Sequence, residues 1–326
     1  MGYTRTSTKK TPKATITDIM IERIEARRDA GENVVAPWRM TWDPSLGMPR
    51  NLVTGHAYRG VNVFMTLFAG FESPFWITRK QVGKIGGTIK QDEDGKALPY
   101  TPILFWKFPT KEEEAEGRRA FCRFYQVWNC EQVNGINDKV EEAFAGISTE
   151  PKDSIAEAEA LVAGYPAGPE IKHGDSRAYY TVGNDTVSIP DISAFESSEA
   201  YYRALFHELA HSTGHRKRLE RDGIANPAKY ANHAYSEEEL IAEMAASMMA
   251  GHSGIATEEA DENSAAYLDH WLKKLKAEPN LLVSAGGAAQ RALDHIRNIK
   301  WATAEKAKPE IKGMYKPKTK IAMEAA

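Results

Sequence analysis

Cysteines, long apolar runs and a strong excess of one charge sign are all scarce in this 326-residue chain. The two cysteines, Cys122 and Cys130, have a spacing that fits no zinc knuckle, so reduced core thiols are expected rather than a disulfide framework. No apolar run approaches the roughly 18 to 20 residues that a membrane span needs. The polar, basic start lacks the apolar core of a signal peptide. These absences predict a cytoplasmic protein without membrane contact.

The net charge of −3 is unevenly distributed along the chain. Residues 1–130 hold 20 Lys and Arg against 14 Asp and Glu, whereas residues 131–326 hold 22 against 31. A basic first half indicates contact with a polyanion. Aromatic residues alternate with cations along it, and this combination binds single-stranded nucleic acid by stacking bases and holding phosphates. The alternative is that the aromatics form a core and the charges beside them are solvated.

The motif with the clearest chemistry is His207-Glu208-Leu209-Ala210-His211. Residues four apart lie on one face of a helix, so both imidazoles can reach the same cation. Glu208 lies beside the first imidazole, where it can act as general base towards a water molecule. Two histidines and a third protein ligand suit zinc and leave one position open. Zinc is therefore expected, with manganese as the alternative.

The third ligand is expected from a second helix. A metzincin would place a histidine where Lys217 stands, and an ammonium group cannot bind zinc. Glu239 and Glu243 share one helical face downstream, so we predict Glu239 as the ligand and Glu243 as the acceptor of a hydrogen bond from a ligating imidazole. The alternative is a capping box between Ser236 and Glu239, which would make Glu243 the ligand.

Other residues near these motifs have subsidiary assignments. Tyr235 is expected to assist the oxyanion that forms during peptide hydrolysis. Glu237 and Glu238 are expected to be solvated charges in a first helical turn. Residues 179–182 and 186–189 are predicted to form a hairpin whose edge presents a peptide substrate.

The order of the predicted elements indicates an α+β protein, in which a small α+β sheet domain precedes a mostly helical domain with a β-hairpin. The first helix is expected to open at a capping box of Thr15 and Asp18. The predicted divisions are a disordered basic arm (1–14), the sheet domain (15–137), a linker with a short helix (138–168), the helical domain (169–302) and a disordered Lys-rich tail (303–326).

Several motifs together resemble the ArdC antirestriction family of plasmids and phages, over most of residues 15–300. The N-terminal ones are Ala36-Pro37-Trp38, Tyr58-Arg59-Gly60-Val61-Asn62, Trp76-Ile77-Thr78-Arg79-Lys80-Gln81, Gly86-Gly87 and Leu104-Phe105-Trp106. The C-terminal ones are Phe206 to His215, Arg218-Leu219, Glu238 to Glu243, Tyr267 to Trp271 and Ala288-Ala289-Gln290. The resemblance implies an N-terminal domain that binds single-stranded DNA, a C-terminal zincin-like domain of gluzincin type, and protection of incoming DNA from host restriction.

The resemblance and the aromatic-cation pattern together give a set of candidate DNA contacts. They are Trp38, Arg39, Arg59, Asn62, Trp76 and Lys80. Two acidic segments, residues 92–95 and 111–119, depart from the family pattern. Both are expected to lie off the DNA path, because carboxylates repel phosphates.

Two other functions remain open at the level of sequence. In the first, the protein coats entering single strands without proteolysis and its metal is structural. In the second, it is a zinc protease that acts on DNA-bound proteins. The sequence indicates no specificity pocket, so it names no peptide substrate.

Overall fold

A computed structural model describes residues 11–39, 46–107, 109–146, 153–225, 233–255 and 264–300. Within these ranges the chain is a mixed α+β protein, which confirms the predicted fold class. The predicted disordered tail and residues 1–10 of the predicted arm lie outside the described residues. None of the helices in the described ranges is both long and apolar enough to cross a membrane.

Helices account for most of the regular structure in the described ranges. They are α1 (Pro12–Asp29), α2 (Val61–Leu67), α3 (Arg79–Lys84), α4 (Lys111–Ala115), α5 (Asn137–Ala145), α6 (Ser154–Ala163), α7 (Ser198–Ser212), α8 (Asp222–Ala225), α9 (His233–Ser253), α10 (Ser264–Ala277) and α11 (Leu281–Ile296). The strands are β1 (Arg50–Asn51), β2 (Phe75–Thr78), β3 (Thr88–Ile89), β4 (Thr101–Lys107), β5 (Phe121–Asn129), β6 (Val133–Asn134), β7 (Glu170–His173), β8 (Tyr179–Thr181) and β9 (Thr186–Ile189).

Helix α1 begins earlier than the sequence predicts. Thr11 is its N-cap and accepts a hydrogen bond from the backbone N–H of Ala14, and a proline follows at the first helical position. Proline fits there because the first helical N–H groups have no partner within the helix. The capping box expected at Thr15 and Asp18 is therefore wrong, and residues 12–14 of the predicted arm are helical.

The N-terminal sheet has the strand order β1-β2-β5-β4. Strand β1 pairs in parallel with β2, whereas the pairs β2–β5 and β4–β5 are antiparallel. Strands β4 and β5 form a long hairpin, and helices α1 and α2 pack against one of its faces. A separate pair, β3 and β6, lies beside this sheet.

The C-terminal sheet is small and lies against the helix that carries the histidine motif. Its order is β7-β9-β8, and β8 pairs antiparallel with β9, which confirms the predicted hairpin. Helix α7 packs against this hairpin on one side and against α9 on the other. The sequence offers Ser197 or Ser198 as the cap of α7, and the structure shows that Ser197 accepts a hydrogen bond from the N–H of Ala200.

One large hydrophobic core joins the N-terminal helices to the C-terminal region. It includes Ile16, Met20 and Phe64 from α1 and α2 together with residues of α7, α9, α10 and α11. Trp38 lies in this core and donates a hydrogen bond from Nε1 to the hydroxyl of Tyr267, 2.8 Å away. The first part of the chain therefore packs directly on the second.

The range predicted to be a linker contains two packed helices. Phe144 of α5 packs edge-on against Phe75, with 4.9 Å between the ring centroids. In α6, Ala158 and Leu161 are buried in the large core, where α6 contacts α7 and α9. The predicted helix at residues 154–163 is confirmed, but it is part of the C-terminal packing.

Candidate metal centre

Helix α7 directs both imidazoles of the motif to one point. The Nε2 atoms of His207 and His211 are 3.0 Å apart, and the rings are nearly perpendicular, with 4.7 Å between their centroids. This follows from the spacing of one helical turn. The His207 side chain is 26% exposed and that of His211 is 11% exposed, so the pair lies at the floor of a surface site.

Helix α9 supplies the third predicted ligand. The carboxylate of Glu239 lies 3.4 Å from Nε2 of His207 and 3.5 Å from Nε2 of His211. The three side chains form a group whose potential ligand atoms all lie within 4.8 Å of one another. Helix α9 begins at His233, so Ser236 lies inside the helix and is not its N-cap. The capping-box alternative for Glu239 therefore does not hold.

The spacing of the three ligand atoms fits a tetrahedral ion. Zinc bound at about 2.0–2.2 Å to nitrogen and oxygen separates neighbouring ligand atoms by roughly 3.3–3.6 Å. The separations of 3.0, 3.4 and 3.5 Å lie close to that range. Two imidazoles and one carboxylate also match the donor set of catalytic zinc sites, which keep one position open.

Negative charge surrounds the two imidazoles. Burial alone would lower the pKa of His207, but a hydrogen bond with Glu239 and the charges of Glu208, Glu239 and Glu243 raise it above its ordinary value. An environment that stabilises an imidazolium also attracts a metal cation. Glu208 is half-buried, and its role as general base stays a prediction.

Glu238 occupies the position beside His211 that the sequence assigns to Glu243. Its side chain is 5% exposed, and its carboxylate forms a two-point ion pair with the guanidinium of Arg221. The buried Nδ1 of His211 has no hydrogen bond within the described residues, and Glu238 Oε1 is 3.4 Å away from it. A carboxylate beside the outer nitrogen of a ligating histidine fixes the orientation of the ring.

The expectation that Glu238 is solvated is therefore wrong. Arg221 also donates hydrogen bonds to the hydroxyl of Thr213 and the carbonyl of Ala210, so the ion pair ties α9 to the end of α7. The sequence contained an indication that Glu238 is buried, because Glu238 shares its helical face with the apolar residues Ile241 and Ala242, which are buried.

Glu243 has different partners from those predicted. It accepts a hydrogen bond from the hydroxyl of Tyr267 and lies 3.4 Å from Nη2 of Arg39. The guanidinium of Arg39 in turn lies over the ring of Tyr267, 3.7 Å from its centroid. Glu243 thus connects the N-terminal part of the chain to α9 and α10. The backbone of Tyr235 is in α9, but its side chain lies outside the described residues, so its role stays a prediction.

Two of the six candidate DNA contacts are core residues. Trp38 and Trp76 are 1% and 2% exposed, so in this structure neither ring presents a face to a base. Trp38 packs edge-on against Trp271, and Trp76 packs edge-on against Phe71. The physical reason is that an indole buries more apolar area than any other side chain, which favours the core over the surface.

The other four candidates have mixed surroundings. Arg59 forms an ion pair with the buried Asp294 of α11. Asn62 makes hydrogen bonds with both the N–H and the carbonyl of Leu104, which joins α2 to β4. Arg39 contacts Glu243 as described, and Lys80 is exposed on α3. DNA contact by these residues stays a prediction.

Two family descriptions match successive parts of the chain. The N-terminal domain of anti-restriction factor ArdC matches residues 10–142. The zincin-like metallopeptidase family matches residues 156–289, which include His207, His211 and Glu239.

Individual proteins match across both parts. The chain is 31% identical to a DNA primase TraC of Escherichia coli over 301 residues, which are 84% of this chain but 26% of that protein. The chain thus spans about a quarter of the length of this relative. The metal-free crystal structure of the antirestriction ArdC protein from the R388 plasmid is similar at 28% identity and a TM-score of 0.63, over 88% of this chain and 96% of that one. Its Mn(II)-bound structure gives 27% identity and a TM-score of 0.64, over 86% and 97%.

Proposed function

Since this chain is an ArdC-like protein, with an ArdC-type N-terminal region followed by a zincin-like region, we propose that it binds single-stranded DNA and hydrolyses peptide bonds at a metal centre. The biological role that fits both activities is protection of incoming plasmid or phage DNA from host restriction. The proposed setting is the cytoplasm of a bacterial host.

The observation that carries the hydrolytic part is the convergence of three ligand atoms from α7 and α9. Glu208 follows the first of these ligands in the chain, and its charge acts on His207. A divalent ion bound there would supply Lewis acidity, which polarises a scissile carbonyl and makes water a stronger acid. His207, His211 and Glu239 hold the ion, and Glu238 orients the ring of His211. Glu208 takes a proton from the attacking water and gives it to the amine that leaves when the peptide C–N bond breaks.

Two observations support a proposal for the ion, namely the donor set and one relative. Two imidazoles and a carboxylate suit zinc, and they also accept manganese. The related ArdC structure from the R388 plasmid was solved with Mn(II). We therefore propose a divalent ion, zinc first and manganese second. Quantifying both metals in the purified protein tests the order.

The DNA-binding part rests on similarity and on charge. The N-terminal region matches the ArdC N-terminal domain and carries the basic half of the chain. A relative that matches across both parts is named a DNA primase, although this chain spans only 26% of it. Binding of labelled single- and double-stranded oligonucleotides at two salt concentrations tests this part. Preference for single strands, with affinity that falls as salt rises, is expected.

A Glu208→Gln variant distinguishes three possible functions, which are DNA protection that needs proteolysis, protection by coating single strands without proteolysis, and proteolysis of DNA-bound proteins. It removes the general base but should leave the bound metal and DNA affinity unchanged. If protection of incoming DNA is lost, proteolysis is part of the function. If protection persists, the protein acts by coating single strands. If the wild type but not the variant cleaves DNA-bound proteins, and does so only when single-stranded DNA is present, the protein is a protease of DNA-bound proteins. A wild-type protein without metal or without DNA affinity would contradict the proposal.

A further inference from the structure

The half of the β4–β5 hairpin near its turn has an exposed face. Closer to the rest of the sheet, Ile103 and Val127 on the same face are buried against Trp76. Residues that are paired across an antiparallel ladder lie on the same face of the sheet. Phe105 pairs with Arg123, and Lys107 pairs with Phe121, so these four side chains share one face. Tyr125, two residues beyond Arg123, lies on it as well. We call these five residues the hairpin face.

The opposite side of the hairpin is mostly packed, except that Trp106 is 37% exposed and has Lys13 of α1 over its ring. Leu104 is 4% exposed, and Cys122 and Phe124 pack against the large core. Asn62 of α2 binds the backbone of Leu104 on this side. The alternation of side chains along the strands therefore fixes the hairpin face outward.

The hairpin face exposes an unusual amount of aromatic surface. Phe105 is 54% exposed, Phe121 is 40% exposed and Tyr125 is 40% exposed, and all three are among the most exposed large apolar side chains in the described ranges. Phe105 and Tyr125 meet edge to face, with 5.7 Å between their centroids. Phe121 and Tyr125 are four residues apart on β5, so their Cα atoms are separated by about 13 Å. The three rings thus extend over a distance that a few stacked bases would occupy.

Positive charge is interleaved with these rings. The guanidinium of Arg123 lies 4.9 Å from the centroid of Phe121, and the side chain of Lys107 is 56% exposed. Strands β4 and β5 contain no Asp or Glu. In the acidic segment that follows β4, Glu113 is paired with Arg118 and lies 3.9 Å from Lys107. The hairpin face therefore presents rings and cations, with one carboxylate, that of Glu113, at its Lys107 end.

We propose that the hairpin face is the surface on which single-stranded nucleic acid stacks its bases. The proposal rests on the proposed single-strand binding and gives that binding a location. Exposed rings on a sheet stack two or three unpaired bases, while neighbouring Lys and Arg hold the phosphates. A duplex has its bases already stacked and offers no free base face to such a surface. Phe105, Phe121 and Tyr125 take the role that the sequence assigned to Trp38 and Trp76, whose rings are buried.

The test uses the full chain and two oligonucleotides with the same phosphates, one of ordinary thymidines and one of abasic sites. We expect the wild type to bind the base-bearing strand more tightly. Phe105→Ala and Tyr125→Ala should each weaken binding to that strand about 5- to 150-fold. Neither should change binding to the abasic strand. Phe105→Trp should retain the affinity, because its ring can still stack.

Arg123→Gln tests the charge on the same face. It should weaken binding to both strands and reduce the slope of log affinity against log salt by about one. Ile192→Ala, which truncates a 45% exposed apolar side chain elsewhere, is the matched control and should have no effect. Thermal unfolding and bound metal of each variant should equal those of the wild type, because the changed side chains are exposed.

The possible failures have different meanings. If the wild type binds neither strand, the proposed DNA binding fails. If the wild type binds single strands and the Phe105 and Tyr125 variants bind equally well, the location is wrong while the proposed function stands. Loss of protection of incoming DNA in these variants with unchanged DNA affinity would also overturn the location, and would make the hairpin face a protein-binding surface.

Discussion

Two adjacent glutamates on α9 differ sharply in their surroundings. The side chain of Glu239 is 28% exposed and faces both imidazoles, whereas that of Glu238 is 5% exposed and is paired with Arg221. Glu243, one turn further along, contacts Tyr267 and Arg39. A single helix thus provides a metal ligand, a residue that orients a ligand and a contact to the N-terminal region.

This difference predicts unequal effects on metal binding. Glu239→Ala removes a ligand and should lower metal affinity by more than the roughly 10- to 100-fold that loss of an outer contact causes. Glu243→Ala is the matched control on the same helix and should lower metal affinity by less than that, because Glu243 contacts Tyr267 and Arg39 rather than a ligating imidazole. Competition with a chelator, followed by metal quantification, measures both. Equal losses in the two variants would contradict Glu239 as the third ligand.

At the scale of elements, α2 and α11 approach each other closely at a glycine. A Cβ atom built on Gly286 would lie 2.7 Å from the backbone nitrogen of Val61, whereas one on Gly287 would lie 3.8 Å from the end of the Arg291 side chain. Nearby, Gln290 accepts a hydrogen bond from the N–H of Gly60. The absence of a side chain at Gly286 therefore lets the two helices meet.

Substitution of each glycine by alanine should change stability in different directions. Gly286→Ala forces α2 away from α11 and should lower the free energy of unfolding by about 1–3 kcal/mol. Gly287→Ala meets no backbone, and the higher helix propensity of alanine should leave stability unchanged or raise it by up to about 1 kcal/mol. Urea unfolding of both variants measures the effect. Similar values for the two would show that the close approach is not needed.

A second contact between elements joins the turn of the β8–β9 hairpin to the segment after α7. The carboxylate of Asp185 forms an ion pair with Arg218, whose side chain is 1% exposed. Burial alone would raise the pKa of Asp185, but hydrogen bonds from Arg218 and Tyr180 and the charges of Arg218 and His215 lower it below its ordinary value. A lowered pKa means that the ionised form stabilises the fold.

Stability should therefore depend on pH through Asp185. Its contribution is present above the unfolded pKa of about 3.9 and is lost as the pH falls through the lower folded pKa. Asp185→Asn keeps the left-handed backbone, with φ of 56°, but leaves Arg218 without its counter-charge. At pH 7 it should lower the free energy of unfolding by about 3 kcal/mol.

Urea unfolding of the wild type and Asp185→Asn at pH 7 and pH 3 checks this dependence. The difference between the two proteins should shrink at pH 3, which is below the unfolded pKa, because the carboxylate is then mostly protonated in the unfolded chain. Asp191→Asn is the control, because this side chain is exposed and should contribute little at either pH. A difference that is equal at both pH values would contradict the role of the charge.

At the scale of the whole molecule, the two matched regions share one core. Helices α1 and α2 pack with α10 and α11, and Trp38 lies against Trp271 with its N–H bonded to Tyr267. An apolar contact of this kind couples the stability of the two regions. The predicted domains are therefore not expected to unfold separately.

Metal binding should report on this coupling. An ion that binds only the folded C-terminal region stabilises whatever unfolds with it. We expect saturating zinc to slow hydrogen exchange of backbone amides in β2 and β5 as well as in α7 and α9. Glu239→Ala, which lacks a ligand, serves as the control and should show no such change. Slower exchange confined to α7 and α9 would mean that the regions open independently.

Sequence alone determined the features that depend on local geometry. The spacing of His207 and His211 fixes two imidazoles on one helical face, Ser197 caps the helix that carries them, and the β8–β9 hairpin follows from its turn residues. Helical spacing also places Glu239 and Glu243 on one face, which left the choice of ligand between them open, and the α+β class follows from the order of such elements. Each of these inferences involves residues close together in the chain, where bond geometry limits the alternatives.

Only the tertiary structure decided which side chains are buried and which distant residues they meet. Trp38 and Trp76 are core residues while Phe105 and Tyr125 are exposed, although all four belong to the same aromatic-cation pattern. The pairing of Glu238 with Arg221 likewise joins residues 17 positions apart. Burial is set by the free energy of packing the whole chain, and identical local patterns occur on both faces of a sheet. Whether a given side chain is buried therefore depends on contacts with distant residues, which the local spacing of residues does not specify.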